Sequence, residues 1–270
     1  MKLCFSTLGC VEKNLSEVIE LARKYAIFGV ELRGLDGEIS NGKISAFSAE
    51  KATNTKEAFV SSGVMPIVLG TSCAFHTEAK CEKALTEGTE AIDIAASLGI
   101  SYIRVFGNNL TDDTADCYRR VISGILFLCR YAEEKGVSVL LEVHGDYVTV
   151  DRLQPIVDVL GKEPAFGLIW DVAHSHKAGG ADFLRFYRAM RPYIRHVHLK
   201  DVRDADHTLV LPGEGNIPLR EIVEAMEQDG YTGYFSLEWE KHWHPSLPEI
   251  EIALEAYTKL LRGNARGALG

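Results

Sequence analysis

Short apolar runs alternate along this chain with longer stretches whose apolar positions recur at helical spacing. The runs predict strands at Leu3 to Thr7, Gly29 to Gly34, Val64 to Leu69, Tyr102 to Phe106, Val137 to Val143, Phe166 to Trp170, Ile194 to Leu199 and Tyr234 to Trp239. Between the first two, Leu15, Val18, Ile19, Ala22, Tyr25 and Ala26 define one face of a helix. Ala84, Leu85, Gly88, Ala91, Ile92, Ala95 and Ala96 do the same for Lys80 to Leu98, which Gly99 stops. Further helices are expected near 49–61, 113–135, 150–160, 181–190, after Pro218, and near 248–261. Pro66 argues against a ladder donor at its position, and Pro155 makes the first turns of its helix irregular. The segments 36–45, 70–79 and 203–217, the last ending in LPGEGN, read as loops.

Eight strands alternating with helices are what successive right-handed βα units require. An open doubly wound sheet is the rival, but it normally shows a glycine-rich turn of the GxGxxG type after its first strand, and none is present. The expectation is therefore an α/β fold, a single-domain (β/α)8 TIM barrel over 1–263 with a flexible tail at 264–270. A length of 270 residues suits one such barrel. The 29 basic and 38 acidic residues leave a formal charge of -9, the wrong sign for a protein that mainly holds nucleic acid backbone. The six cysteines include no CxxC pair, which points to reduced thiols and a cytoplasmic location. No run approaches the length of a membrane span, and MKLCFSTLG reads as a first strand rather than a signal peptide.

In a barrel, the C-terminal ends of the strands share one mouth. The last polar positions of strands five to eight are Glu142, Asp171, His198 and Glu238. Three carboxylates and one imidazole suit a hard to borderline divalent cation such as Mn²⁺, Mg²⁺, Co²⁺ or Zn²⁺, and nothing in these four residues selects among them. Each residue also has a plainer reading. Asp171 can cap the following element, and His198 can be a satisfied core histidine. Glu142 and Glu238 are harder to set aside, because a carboxylate buried in a strand needs a partner. Around them, His144 and Lys200 are candidates to bind substrate, against a plainer role in ion pairs at the rim. Glu31 and Arg33, ending strand two, read as a structural pair. Trp239, Trp243 and Phe75 offer an apolar wall, and His242 and His244 read as entrance-loop residues.

The segments LLEVHGD, DVAHS, VHLKDVR, the GEG loop and SLEWE resemble the xylose isomerase-like barrel superfamily, in its sugar phosphate isomerase/epimerase group. Ketose 3-epimerases, hydroxypyruvate isomerases and inosose dehydratases belong to that group, and the resemblance covers essentially the whole chain. It implies metal ligands at Glu142, Asp171, His198 and Glu238, with the two glutamates also acting as the acid/base pair. It implies substrate contact by His174 and, at an offset one residue short of the pattern, by Arg203. The implied activity is isomerisation or epimerisation of a ketose or related polyol ketone through a metal-stabilised enediolate. An inosose dehydratase-type lyase is the alternative, and a DNA-repair endonuclease on the same fold a remote one. The substrate is expected to be a small neutral ketose or cyclic polyol ketone, with no nucleic acid or membrane partner. A homodimer follows from the resemblance alone. A phosphate grip by the GEG loop and Arg203 is opposed by Glu214.

Overall fold

Strand alternation builds the molecule, a computed structural model that describes residues 1–111, 114–180 and 182–263. The barrel strands are β1 (Lys2–Ser6), β2 (Gly29–Leu32), β3 (Met65–Ala74), β4 (Tyr102–Phe106), β5 (Ser138–Glu142), β6 (Phe166–Asp171), β7 (Ile194–Leu199) and β10 (Tyr234–Leu237). They close in the order β1-β10-β7-β6-β5-β4-β3-β2, each pair parallel. A short antiparallel hairpin joins β8 (Asp201–Val202), just before the loop expected at 203–217, to β9 (Leu209–Val210) inside it. The chain is thus a single (β/α)8 TIM barrel.

Successive side chains point to opposite faces of a strand. Leu3, Phe5, Val30, Leu32, Val139, Leu141, Leu168, Trp170, Val197, Leu199, Phe235 and Leu237 belong to the main core between barrel and helices. The intervening positions turn to the barrel axis. There Cys4, Val68, Leu140 and Ile169 form a separate small apolar cluster, which Ile67 joins from the next position of β3. Two residues further along the same strands, the axial positions become Ser6, Glu142 and Asp171, joined by Glu31, Arg104, His196, His198, Ser236 and Glu238, all buried. An apolar plug below and a buried polar layer above give the barrel one chemical end.

The surrounding helices are α1 (Leu15–Lys24), α2 (Ala52–Ser62), α3 (Glu78–Leu98), α4 (Thr114–Glu133), α5 (Val150–Leu160), α6 (Val172–Gly179), α7 (Phe183–Met190), α8 (Leu219–Gln228) and α9 (Ile250–Arg262). Asn14 and Glu17 form a capping box that fixes the start of α1. The sequence pattern misses α6, which follows β6 without a loop because the Asp171 carboxylate caps it through the N–H groups of Ala173 and His174. Strand β3 runs to Ala74, well past the expected Leu69, and Thr71 carries it by bonding to the Arg104 carbonyl oxygen at 2.6 Å. Pro66 is accommodated beside an irregularity in the β2–β3 register between Val30 and Glu31. Pro155 lies inside a continuous α5. The expected helix starts at Asp113 and Ala181 and the expected tail at 264–270 lie outside the described residues.

All six cysteines are free thiols. No helix among the described residues is long and apolar enough to cross a membrane.

Candidate metal centre

Four side chains from adjacent strands converge on the polar end of the barrel. Glu142 ends β5, Asp171 ends β6, His198 lies one residue before the end of β7, and Glu238 follows β10. Asp171 and His198 are register partners across β6 and β7, as Ser236 and His198 are across β10 and β7. One ligand-type atom from each of Glu142, Asp171, His198 and Glu238 lies within 4.8 Å of the others, and all four residues are buried.

The polar contacts divide the work of these side chains. Asp171 uses Oδ1 to cap α6, at 2.9 Å from Ala173 N and 3.0 Å from His174 N. Its Oδ2 faces the centre, as do Glu142 Oε2 and His198 Nδ1, and the contacts of these three atoms are to the charged groups of the site: Lys200 Nζ at 2.8 Å, Arg104 Nη1 at 3.1 Å and Glu238 Oε1 at 3.4 Å. Both plain readings of Asp171 and His198 are therefore partly right: each residue does structural work with one atom and presents the other to the centre. For His198 the structural half is Nε2, 2.8 Å from Glu31 Oε2. In the metal-free protein burial acts against the charge of His198, yet Glu238 and Glu31 raise it well above an ordinary histidine. Both ring nitrogens therefore donate, Nε2 to Glu31 and Nδ1 towards Glu238 at 3.4 Å; a cation at Nδ1 would displace that proton while Nε2–H stays on Glu31. Carboxylate oxygens and an imidazole nitrogen, buried and all within 4.8 Å of one another, are a donor set that suits a divalent ion, so the residues present fit one.

Two protein cations share the carboxylates. Arg104 Nη1 lies 3.1 Å from Glu142 Oε2 and 3.3 Å from Glu238 Oε1, and 3.9 Å from Glu31 Oε1. Lys200 Nζ lies 2.8 Å from Asp171 Oδ2 and 2.7 Å from Glu238 Oε2, and also pairs with Glu240. These positions split the two glutamates. Burial, assisted by the Glu238 charge and opposed by Arg104, pushes the Glu142 carboxyl up to about 8. Burial would raise Glu238 too, but His198 and Lys200 hold it well below the usual carboxylate range. Burial acts against the charge of Lys200, yet Asp171 and Glu238 raise it well above an ordinary lysine.

The expected pairing of Glu31 with Arg33 is not found. Glu31 instead lies between two imidazoles, 3.2 Å from His196 Nε2 and 2.8 Å from His198 Nε2. Burial would raise its carboxyl, but the His198 charge and both hydrogen bonds hold it far below the usual range. Arg33 points elsewhere, to the Ile39 carbonyl and the Ser72 hydroxyl. The physical reason is parity with stagger: both residues face the axis, but Arg33, two residues further on, sits a layer above Glu31.

A cavity of about 310 Å³ opens over the centre, lined by Glu142, Glu238, Arg104, Lys200, His144 and His174 among others. The His144 and His174 rings meet edge to face at 4.5 Å. Burial, reinforced by His174 and Lys200, pushes His144 down to about 4, so its ring is neutral near pH 7. Arg203 is exposed on the hairpin and is not among the residues lining this cavity. Of the three aromatic residues expected as a wall, Trp243 lines the cavity and is 54% exposed. Trp239 and Phe75 are fully buried core residues. Trp239 donates its indole N–H to the Pro248 carbonyl, and Phe75 fills the space over Gly124. His242 and His244 lie beyond β10, as expected for an entrance loop, and His244 lines an adjoining cavity. The GEG loop offers no phosphate grip: Gly213 N, Gly215 N and Ile217 N all donate to the Asp201 carboxylate, at 2.8, 3.0 and 3.1 Å.

Counting only the last polar residue of strands five to eight missed Arg104 and Glu31. The available signal was period two, since Tyr102, Arg104 and Phe106 occupy the axial positions of a buried strand.

The fold and the centre together define a barrel with a candidate metal-binding site built from Glu, Asp and His. The chain belongs to the xylose isomerase-like TIM barrel family, whose model matches residues 19–260. It is 26% identical over 255 residues to the inosose isomerase of Halalkalibacterium halodurans, across 88% of this chain and 87% of that protein. A stretch of 164 residues is 31% identical to the inosose dehydratase of Klebsiella pneumoniae, 52% of each chain. The solved structure of a probable 3-DHS dehydratase of Bacillus anthracis shares the fold with a TM-score of 0.82 at 18% identity, over 98% of this chain and 100% of that one. The zinc-bound IOLI protein does so with a TM-score of 0.78 at 22% identity, over 96% and 97%.

Proposed function

We propose that the protein is a divalent-metal-dependent isomerase or epimerase of a ketose or related polyol ketone, with Glu142 and Glu238 as its acid/base pair. The observation that carries this reading is the convergence of buried ligand-type atoms of Glu142, Asp171, His198 and Glu238, all within 4.8 Å of one another, beneath an open cavity. Glu142, Asp171, His198 and Glu238 would hold the ion, Mn²⁺ on this reading, whose Lewis acidity would favour enolisation of a substrate ketone. Asp171 and His198, each held by its structural hydrogen bonds, serve as ligands without taking part in proton transfer. Glu142 and Glu238 belong to strands separated by β6 and β7 in the barrel order, so they flank the reacting carbon from different sides. One removes a proton and the other returns one. Return to the opposite face epimerises, and return to the neighbouring carbon isomerises. His144 and His174 are placed to hydrogen-bond substrate hydroxyls from the cavity wall. Lys200 holds Glu238 ionised. A homodimer is carried over from the family resemblance.

One observation favours the lyase alternative. His174 lines the cavity with Lys200 Nζ 3.4 Å from its Nε2, so a hydroxyl departing there meets hydrogen-bonding groups from both side chains. The inosose dehydratase similarity agrees with it.

The test is solvent deuterium incorporation, followed by NMR, with Mn²⁺-loaded protein and a panel of ketoses, hydroxypyruvate and inosose. The expected result is metal-dependent exchange at the carbon beside a carbonyl, and the product then separates epimer, isomer and dehydrated ketone. Exchange that is unaltered by stripping the metal contradicts the proposal.

A further inference from the structure

Among the three cations of the cavity, one lacks a counter-charge. Arg104 and Lys200 each lie against two or more carboxylates, as described above. Arg33 lines the same cavity and is only 5% exposed, yet no carboxylate of the described residues comes within 4.0 Å of it. Its Nη1 donates to the Ile39 carbonyl at 3.1 Å and its Nη2 to the Ser72 hydroxyl at 2.8 Å. Both partners are neutral. A buried guanidinium held only by neutral acceptors is expensive, and such charges are normally paired.

The side chain is also fixed in place. Its stem crosses Gly70 so closely that a Cβ there would sit 2.5 Å from Arg33 Cδ, so any larger residue would displace it. The Ser72 hydroxyl accepts from Arg33 and keeps its own O–H to donate. The surrounding charges do not resolve the imbalance. Burial and the neighbouring Arg104 push Arg33 down to about 10, against longer-range attraction from Glu87, Glu31 and Glu142. Elsewhere at this end of the barrel, the backbone N–H groups of the GEG loop are already taken by Asp201.

We infer that Arg33, with Ser72, forms an oxyanion subsite in this cavity, and that the substrate is a hydroxy-ketone bearing a carboxylate or phosphate rather than a neutral ketose. The ketone half of this statement rests on the function proposed above; the oxyanion half rests on Arg33 alone. Guanidinium binds both anions as a planar fork, so the shared chemistry is an oxyanion and the two sources must be separated by experiment.

Isothermal titration of metal-loaded wild type, Arg33→Met and Arg33→Lys with acetate and with sulfate reads the subsite without turnover. Wild type is expected to bind at least one of them about 10- to 100-fold more tightly than Arg33→Met, the range for a charge-assisted hydrogen bond. Arg33→Lys, which keeps the charge without the fork and guards against misfolding of the neutral variant, is expected to fall between. In the exchange assay, Arg33→Met is expected to raise KM for a keto-polyol carboxylate or phosphate at least tenfold more than for a neutral ketose, and the more affected compound identifies the source. Equal affinity of wild type and Arg33→Met for both anions overturns the subsite, even where neutral ketoses exchange. Arg33-dependent anion binding with no exchange in any ketone upholds the subsite and overturns the isomerase reading instead.

Discussion

Glu142→Gln and Glu238→Gln each lower metal-dependent proton exchange on substrate by about 10²- to 10⁴-fold, the usual contribution of a positioned acid or base. Glutamine keeps the size of the side chain and an oxygen that can still face a cation, but it cannot carry a proton. Each variant is assayed at saturating metal with bound ion measured, which separates loss of the base from loss of the ligand. The folding costs differ for a physical reason. Metal-free Glu142 already tends towards its neutral form because of burial and Glu238, whereas Glu238 is the ionised partner of Lys200 and His198. Glu238→Gln is therefore the more destabilising of the two, measured by urea unfolding of metal-free protein. Exchange within tenfold of wild type in both variants would remove them from the chemistry.

Arg104→Met destabilises the metal-free protein by about 3–5 kcal/mol, the cost of removing one partner of a buried ion pair. Arg104 is buried and lies between Glu142, Glu238 and Glu31, so its loss takes a counter-charge from the buried, ionised Glu238 and Glu31. Adding Mn²⁺ recovers part of the deficit, because the ion neutralises Glu142 and Glu238 from the other side. Urea unfolding with and without metal measures both effects. A loss below about 1 kcal/mol, typical of exposed pairs, would contradict the picture of Arg104 as the counter-charge of this layer.

Much of the architecture was legible because the barrel is written in two periodicities. Strand β4 and helix α5 fall where the apolar pattern places them, Tyr102–Phe106 and Val150–Leu160. The four residues that converge at the centre were visible as strand-end polar residues because an ionisable side chain in an apolar run is costly unless it has a partner. What escaped had no one-dimensional signal, or a weaker one. Helix α6 depends on an Asp171 cap that the sequence reading assigned either to a cap or to a metal, when the two oxygens of one carboxylate do both. Glu31 and Arg33 were paired because they are two residues apart, but the axial layers of a barrel place them against different neighbours. Arg203 is adjacent in sequence to the metal-centre strand, yet the β8–β9 hairpin leaves it in solvent. Hairpin geometry depends on contacts such as those from Asp201 to Gly213, Gly215 and Ile217, which apolar spacing does not encode.

The measurement that tests the central claim most directly is a crystal structure of the Mn²⁺-loaded protein with anomalous scattering recorded at the metal. The account predicts one ion per chain, coordinated by Glu142, Asp171, Glu238 and the Nδ1 of His198, while His198 Nε2 stays on Glu31. An ion seated instead between Glu31, His196 and His198, which also bring ligand-type atoms together, or no bound ion at all, would contradict it.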